Sequence, residues 1–316
     1  MSESGAPPER FAKPALSVDD LLHLLKERGL IVPDDARAKH YLTFIGYYRL
    51  SGYFRFFQLE DDEPTAQDEE PVLPHQFREK VEFEDVLDLY IFDRELRLLV
   101  MDAIERIEVA FRSVLSDAMC TTYREPHWYL ERTHFRTEFD HDAFLDDVSE
   151  KVRQDSNPPF IQHYLDKYDE PGLPPSWMII EIMPLGTWSK AYSGLARHSD
   201  LKLIAGKFGV PPQIFRSWIQ CVSVIRNLCA HHMRLWNKRF IIKPKSVFVG
   251  GFELKDNPTF YAQAAVIQRL LQVVAPGSIW GRRILDLLLA HPHVNKREMG
   301  FPEGWERNAF WGTATR

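Results

Sequence analysis

The residues best suited to chemistry lie in one short stretch, RNLCAHHMRLWNKR, at positions 226–239. Arg226 is followed directly by Asn227 and, five positions after the arginine, by His231. RNA carries its own nucleophile, the 2′-hydroxyl, so its cleavage needs a base, an acid and a cation that stabilises the phosphorane. A histidine can transfer the proton and an arginine can supply the cation, so this set could cleave RNA without a metal ion.

The element that must position this set is a helix. Residues 211–238 begin with prolines, which suit a first helical turn, and then repeat apolar residues every three to four positions. At about 100° per residue, the two adjacent histidines separate: His232 falls in the core, and His231 falls on a polar side. The predicted apolar side holds Trp218, Cys221, Val222, Ile225, Leu228, Cys229, His232, Leu235 and Trp236, and the polar side holds Gln220, Ser223, Asn227, His231, Arg234 and Lys238.

The helix separates His231 from Arg226. Nearby cations disfavour a protonated His231, so we expect a neutral imidazole that can act as a general base near neutral pH. Arg226 lies about 140° from His231 around the helix, so the two side chains do not stack. Either the arginine folds round the helix, or the arginine of one chain meets the histidine of a second chain. In a two-fold dimer, two histidines could share the acid and base roles.

The charge distribution favours a polyanionic partner for this region. The chain has a net charge of −6, yet no acid occurs between Asp200 and Glu253. That segment carries nine cations, namely Lys202, Lys207, Arg216, Arg226, Arg234, Lys238, Arg239, Lys243 and Lys245. Such asymmetry predicts an RNA contact, whereas the alternative is that acidic helices neutralise the cations.

A second stretch, YYRLSGYFRFF at 47–57, interleaves aromatic and basic residues. Aromatic side chains can stack on unpaired bases while arginines hold phosphates, although dense aromatic runs also form cores. We predict that Tyr48 and Arg49 bind RNA together with Arg234, Lys238 and Arg239 near the motif.

Supporting residues come from the helix predicted at 83–119. Its charged residues are Asp93, Arg94, Arg97, Glu105, Arg106, Glu108 and Arg112, which could form a solvated face of ion pairs. Alternatively, Glu105 or Glu108 orients Arg226, with His232 as a further supporting residue. A metal site of Cys221, Cys229, His231 and His232 matches no common zinc spacing, so we expect neither a metal nor a cofactor. A second Arg-x4-His match, Arg136 with His141, is surrounded by acids and is treated as accidental.

The remaining pattern predicts an all-α protein. Helices are expected at 17–28, from 34 onward, at 83–119, 141–154, 159–168, 174–195, 211–238, 258–274 and 278–290, with at most a minor β element near 240–251. We expect one domain over 16–305 with a bundle core at about 83–290, a disordered terminus at 1–15, an acidic mobile insert at about 60–76 and a tail at 306–316. The absence of a long apolar run or secretory signal predicts a cytoplasmic location.

Several strings together carry a family resemblance: RNLCAHHMRLWN, GYYRLSGYF (46–54), LYIFDRELRLLVMDAIERIEVAFRS (89–113), PSWMIIEIMPLGTWSKAYSGL (175–195) and MGFPEGW (299–305). They resemble the Abi-like family of abortive-infection proteins, which is similar to the wider HEPN superfamily. That superfamily is all-α, and its R-x4-6-H motif marks metal-independent endoribonucleases that act as dimers with a composite site.

The resemblance implies that Arg226, Asn227 and His231 are catalytic in a toxin-type RNase of phage defence. It also implies a homodimer and, in some relatives, a small non-coding RNA or an antitoxin that restrains the protein. Two alternatives remain open. The chain could be a non-catalytic RNA-binding scaffold, or a protein-interaction module whose polar helix serves an interface.

Overall fold

The computed structural model describes residues 14–59, 75–249, 252–254 and 257–312. Within these residues the protein has twelve α-helices and one antiparallel pair of short strands, β1 (Val247–Val249) and β2 (Phe252–Leu254), so the all-α prediction is confirmed. Most of the predicted disordered terminus and of the acidic insert lies outside the described residues. Among those that are described, no helix is long and apolar enough to cross a membrane.

The chain groups into two compact units, Met1–Phe92 and Asp93–Arg316. The boundary falls inside the long helix α4 (Phe83–Tyr123), and a single domain over 16–305 stays a prediction.

The first unit contains α1 (Val18–Glu27), α2 (Asp35–Phe44), α3 (Tyr47–Phe57) and the start of α4. The helix expected from residue 34 onward is broken between α2 and α3. Gly46 has a φ of 89° at this break, a left-handed conformation that favours glycine.

The second unit contains the rest of α4 and eight further helices. These are α5 (His141–Val152), α6 (Pro159–Lys167), α7 (Ser176–Ile182), α8 (Leu185–Gly194), α9 (His198–Lys207), α10 (Pro212–Ala230), α11 (Phe260–Val274) and α12 (Trp280–Ala290). The segment 174–195 forms two helices because Pro184 disfavours a helical conformation at Met183, whose ψ is 147°. Helix α9 was not predicted.

Helix α10 occupies the centre of this unit, where it packs against α8, α9 and α11. Trp218 and Ile225 are buried on it, and burial of such side chains stabilises the fold by about 1.5–3 kcal/mol each. The indole N–H of Trp218 donates to the carbonyl of Lys245 at 3.2 Å, and Gln263 on α11 donates to the carbonyl of Ile242 at 2.9 Å. These bonds tie the segment after α10 to α10 through Trp218 and to α11 through Gln263.

Candidate functional site

The helix that carries the candidate motif ends at Ala230, eight residues before the predicted end at 238. The His232 backbone N–H donates to the carbonyl of Cys229 at 3.0 Å, and that of Met233 donates to the carbonyl of Leu228 at 2.8 Å. His232 has a φ of 56°, in the left-handed region. This pairing is a Schellman motif, which normally places glycine where this chain has His232, so the sequence gives no ordinary sign of the helix end.

Two assignments from the helical wheel are wrong, for different reasons. His232 is exposed and does not lie in the core, because the wheel does not apply beyond the last helical residue. Ser223 is buried and does not lie on an exposed polar side, because α8 approaches α10 closely there. A Cβ atom at Gly186 of α8 would lie 3.2 Å from the Ser223 Oγ.

Asn227 and His231 lie on one exposed side of the end of α10. Both side chains are exposed, and the His231 N–H donates to the Asn227 carbonyl at 3.0 Å, which keeps the two residues one helical turn apart. Arg226, the residue before Asn227, leaves the helix about 100° away from it. One chain therefore places Asn227 beside His231, with Arg226 on a different side of the helix.

Arg226 extends towards α4, where it meets Glu108. The Arg226 Nε lies 3.5 Å from Glu108 Oε2, which is ion-pairing distance, but the buried Nε–H is not aimed at an acceptor and makes no hydrogen bond. One third of the Arg226 side chain is exposed, so its accessible surface lies away from Nε. Of the two carboxylates considered from sequence, Glu108 makes this contact and Glu105 is exposed to solvent.

Glu108 is shared with a second arginine. Arg112 Nη2 donates to Glu108 one turn earlier on α4. The Arg112 guanidinium also donates to the carbonyls of Glu181, at 2.9 Å, and Met183, at 3.2 Å, at the end of α7. Helices α4, α7 and α10 thus converge on one partly buried network in which Arg226 is the outermost cation.

Asp93 holds the chain that follows the candidate motif, a role that the sequence pattern did not indicate. It is completely buried, and Arg97, also buried, donates to its carboxylate, so these two residues do not belong to a solvated face. The carboxylate accepts backbone N–H bonds from Leu235 at 3.0 Å and from Trp236 at 2.7 Å. Asp93 therefore fixes the chain four residues after His231, and no sequence signal indicates this pairing because 142 positions separate Asp93 from Leu235.

Cys229 faces this buried pair. Burial raises the pKa of its thiol to about 12, with a lowering contribution from Arg97 and a raising one from Asp93. A protonated, buried thiol is a poor nucleophile and a poor metal ligand. Among the described residues, no group of three or more histidines, cysteines or carboxylates could hold a metal ion.

The cations of the acid-free segment are largely accessible. Lys202, Lys207, Arg239, Lys243 and Lys245 are exposed. The half-buried Arg234 lies over the Trp236 ring, with its Cζ 5.9 Å from the ring centroid. Lys238 is half-buried, and within the described part of the chain no carboxylate lies within 4 Å of Lys238 or Arg239. The chain that directly follows α10 therefore carries the accessible cations Lys238 and Arg239.

The aromatic stretch on α3 divides between core and surface. Tyr53 and Phe54 are buried in the first unit, whereas Tyr48 is 93% exposed and Arg49 is exposed beside it. Core packing therefore explains part of the stretch, and an RNA contact by Tyr48 and Arg49 stays a prediction.

Comparison with known families identifies the class of protein. The model of a family described as Abi-like protein matches residues 40–237, which is more than half of the chain. The chain therefore belongs to the Abi-like family. Searches of curated proteins and of solved structures found no match.

Proposed function

We propose that this protein is a metal-independent endoribonuclease of the HEPN type that acts in abortive infection. The observation that carries the proposal is the exposed Asn227–His231 pair at the end of α10, with Arg226 on the neighbouring side of the helix. Membership of the Abi-like family suggests a phage-defence role. In such a role a toxic RNase stays inactive until infection and then stops growth, with an antitoxin or small non-coding RNA as a suitable restraint.

The proposed reaction is a transesterification. His231 takes the proton of a 2′-hydroxyl, the 2′-oxygen attacks phosphorus, and the bond to the 5′-oxygen breaks as that oxygen takes a proton from the second, protonated His231 of the dimer. A cyclic 2′,3′-phosphate and a 5′-hydroxyl result. Arg226 stabilises the phosphorane, and Asn227 orients His231 or the ribose.

The placement of Arg226 supports a site shared between two copies. One histidine cannot readily give and take a proton within a single step, and Arg226 leaves α10 on a different side from Asn227, towards Glu108. In a two-fold dimer, Arg226 of one chain would serve His231 of its partner. Glu108 would then hold Arg226 ready for phosphate.

RNA binding in this proposal uses the accessible cations and aromatic residues. Arg234, Lys238 and Arg239 would bind phosphates beside the cleaved bond. Tyr48 would stack on a base, with Arg49 on the adjacent backbone. Single-stranded RNA is the substrate class that fits this set.

The test is cleavage of total RNA in EDTA by the purified protein. His231→Ala and Arg226→Ala should each reduce cleavage by about 100-fold or more, while wild-type products carry cyclic phosphate ends. His232→Asn is the matched control, because it changes the adjacent exposed histidine and asparagine tolerates a left-handed φ. Equal cleavage by all four proteins, or complete dependence on Mg²⁺, would contradict the proposal.

A non-catalytic RNA-binding scaffold is the second candidate. The contact of Arg226 with Glu108 favours it, because an arginine already engaged by a carboxylate has less charge to offer a phosphorane. This candidate predicts that wild type and His231→Ala bind RNA equally and that neither cleaves it.

A further inference from the structure

Arg216 is a cation on α10, ten residues before Arg226. It is half-buried, and its buried Nε makes no hydrogen bond. Across the described ranges, no carboxylate lies within 4 Å of its guanidinium. Burying part of a charged group without a counter-ion is unfavourable, so Arg216 should lower the stability of the fold.

The charged group next to Arg216 is a second arginine. Burial lowers the pKa of Arg216, and the charge of Arg136 lowers it further. Arg136 is exposed and is held against the end of α8: its backbone N–H donates to the Gly194 carbonyl at 2.8 Å, and its guanidinium donates to the Ser193 carbonyl. Tyr192 on α8, one residue before Ser193, packs edge to face against Phe215 on α10, one residue before Arg216, with ring centroids 5.3 Å apart. The end of α8 that holds Arg136 therefore lies beside Arg216.

The acids near Arg136 in sequence do not neutralise it. Asp140 accepts the N–H of Ala143 at 3.0 Å as the cap of α5, and neither it nor Glu138 lies within ion-pairing distance of Arg136 in the described structure. The neighbouring His141 is buried and bonds the Tyr129 carbonyl at 2.9 Å. The Arg136–His141 pair is therefore not a second catalytic motif, and Arg136 belongs with Arg216 instead.

We propose that Arg136 and Arg216 form a phosphate-binding subsite that holds the backbone of the RNA substrate away from the cleaved bond. Two guanidinium groups provide several donors in planar forks, which match the oxygens of a phosphodiester. Arg216 lies about 15 Å from Arg226 along α10 and about 80° around it, so the subsite is separate from the Arg226 site. The RNA part of this inference rests on the proposed function.

The first test is binding of a single-stranded oligoribonucleotide in EDTA, with all proteins carrying His231→Ala to prevent cleavage. Arg136→Ala and Arg216→Met should each weaken binding by about tenfold. The double variant should be little weaker than the worse single variant, because both arginines contact one phosphate. The slope of log affinity against log salt should become shallower by about 0.7 for this one lost phosphate contact. Arg153→Ala, which removes an exposed arginine at the end of α5, is the charge-matched control and should bind normally.

The second test is thermal stability without RNA. Arg216→Met should melt at the same temperature as the parent or higher, because a half-buried charge without a carboxylate partner is replaced by an apolar side chain of similar length. Weaker RNA binding by a protein that is no less stable cannot be attributed to damage to the fold. A clearly lower melting temperature would make Arg216 a structural residue and overturn the proposal.

The remaining outcomes decide whether the two arginines bind RNA or a smaller anion. Normal RNA binding by Arg216→Met, or an equal loss in Arg153→Ala, would overturn the subsite. Stabilisation of the parent by inorganic phosphate, with RNA affinity unchanged in the variants, would also overturn the RNA assignment in favour of a small phosphate ligand. If the arginine variants weaken RNA binding but His231 proves irrelevant to cleavage, the subsite stands and the nuclease proposal fails. If cleavage requires His231 and the arginine variants bind normally, only the subsite fails.

Discussion

Two acid–arginine pairs on helix α4 share the same spacing and behave differently. Asp93 pairs with Arg97, and Glu108, fifteen residues later, pairs with Arg112. The Asp93 carboxylate is completely buried, and two backbone N–H groups and one guanidinium bond to it. Glu108 remains 13% exposed and serves two arginines, of which Arg226 makes no hydrogen bond through its Nε. The same spacing thus gives two different contacts. Asp93 is a fully buried, hydrogen-bonded carboxylate, which we call the anchor. Glu108 is a partly exposed carboxylate shared by two arginines, which we call the adjustable contact.

The candidate site lies between these two contacts. Arg226 meets Glu108 at one end, and Leu235 and Trp236 are fixed by Asp93 at the other, about 22 Å along α4. Asn227 and His231 are exposed residues of the intervening segment, at the end of α10. We infer that Asp93 sets where the turn lies and that Glu108 sets how Arg226 is presented.

Asp93→Ala should have the largest effect, a loss of about 3–5 kcal/mol in the free energy of unfolding. The substitution leaves Arg97 buried without its partner and removes the acceptor of two backbone N–H groups. Urea denaturation measures the loss.

The control for Asp93→Ala is the double variant Asp93→Asn with Arg97→Met. It keeps an oxygen acceptor for the N–H groups while removing both charges, so most of the stability should return. A loss below about 1 kcal/mol for Asp93→Ala would mean that the carboxylate is not the anchor that its burial indicates.

Glu108→Gln should cost less, about 1–2 kcal/mol, because Arg112 keeps the carbonyls of Glu181 and Met183 as acceptors. Its effect on the proposed reaction should be a lower kcat with RNA affinity unchanged or tighter, since Arg226 loses orientation but also loses a neighbouring negative charge. Glu105→Gln, on the exposed surface of α4, is the matched control and should change neither quantity. Identical kinetics for the two variants would show that Glu108 is only structural.

Substitutions at His232, in the turn between the two contacts, should change the free energy of unfolding by a smaller amount. The His232 φ of 56° is unfavourable for a β-branched side chain, so His232→Val should lower the free energy of unfolding by about 1–2 kcal/mol. His232→Gly should be neutral or stabilising, because glycine suits this position of a Schellman motif. Equal stability of the two variants would contradict the left-handed turn, and thermal unfolding distinguishes them.

The sequence predicted most of the fold because long amphipathic helices show their periodicity directly. It failed where one residue overrides that pattern: the end of α10 depends on a left-handed His232 with no glycine to mark it. The break at Pro184 was readable, since a residue before proline avoids the helical conformation. The buried role of Asp93 depends on a backbone contact 142 positions away, and local patterns cannot reveal such contacts.

The reactivity of the Cys229 thiol measures how well the contact around Asp93 excludes solvent. Burial raises the pKa of this thiol from about 9 to about 12. Because this folded-state pKa lies above the unfolded one, the resulting stabilisation is complete below about pH 9 and disappears as pH rises towards 12.

At pH 9, iodoacetamide should therefore alkylate the partly exposed Cys120 much faster than Cys229, and mass spectrometry measures the two rates. Asp93→Ala should accelerate alkylation of Cys229, whereas Glu108→Gln should leave it unchanged, because only the first substitution opens the buried pair that Cys229 faces. Equal acceleration by both variants would mean that the two contacts open together, and the distinction between anchor and adjustable contact would then be lost.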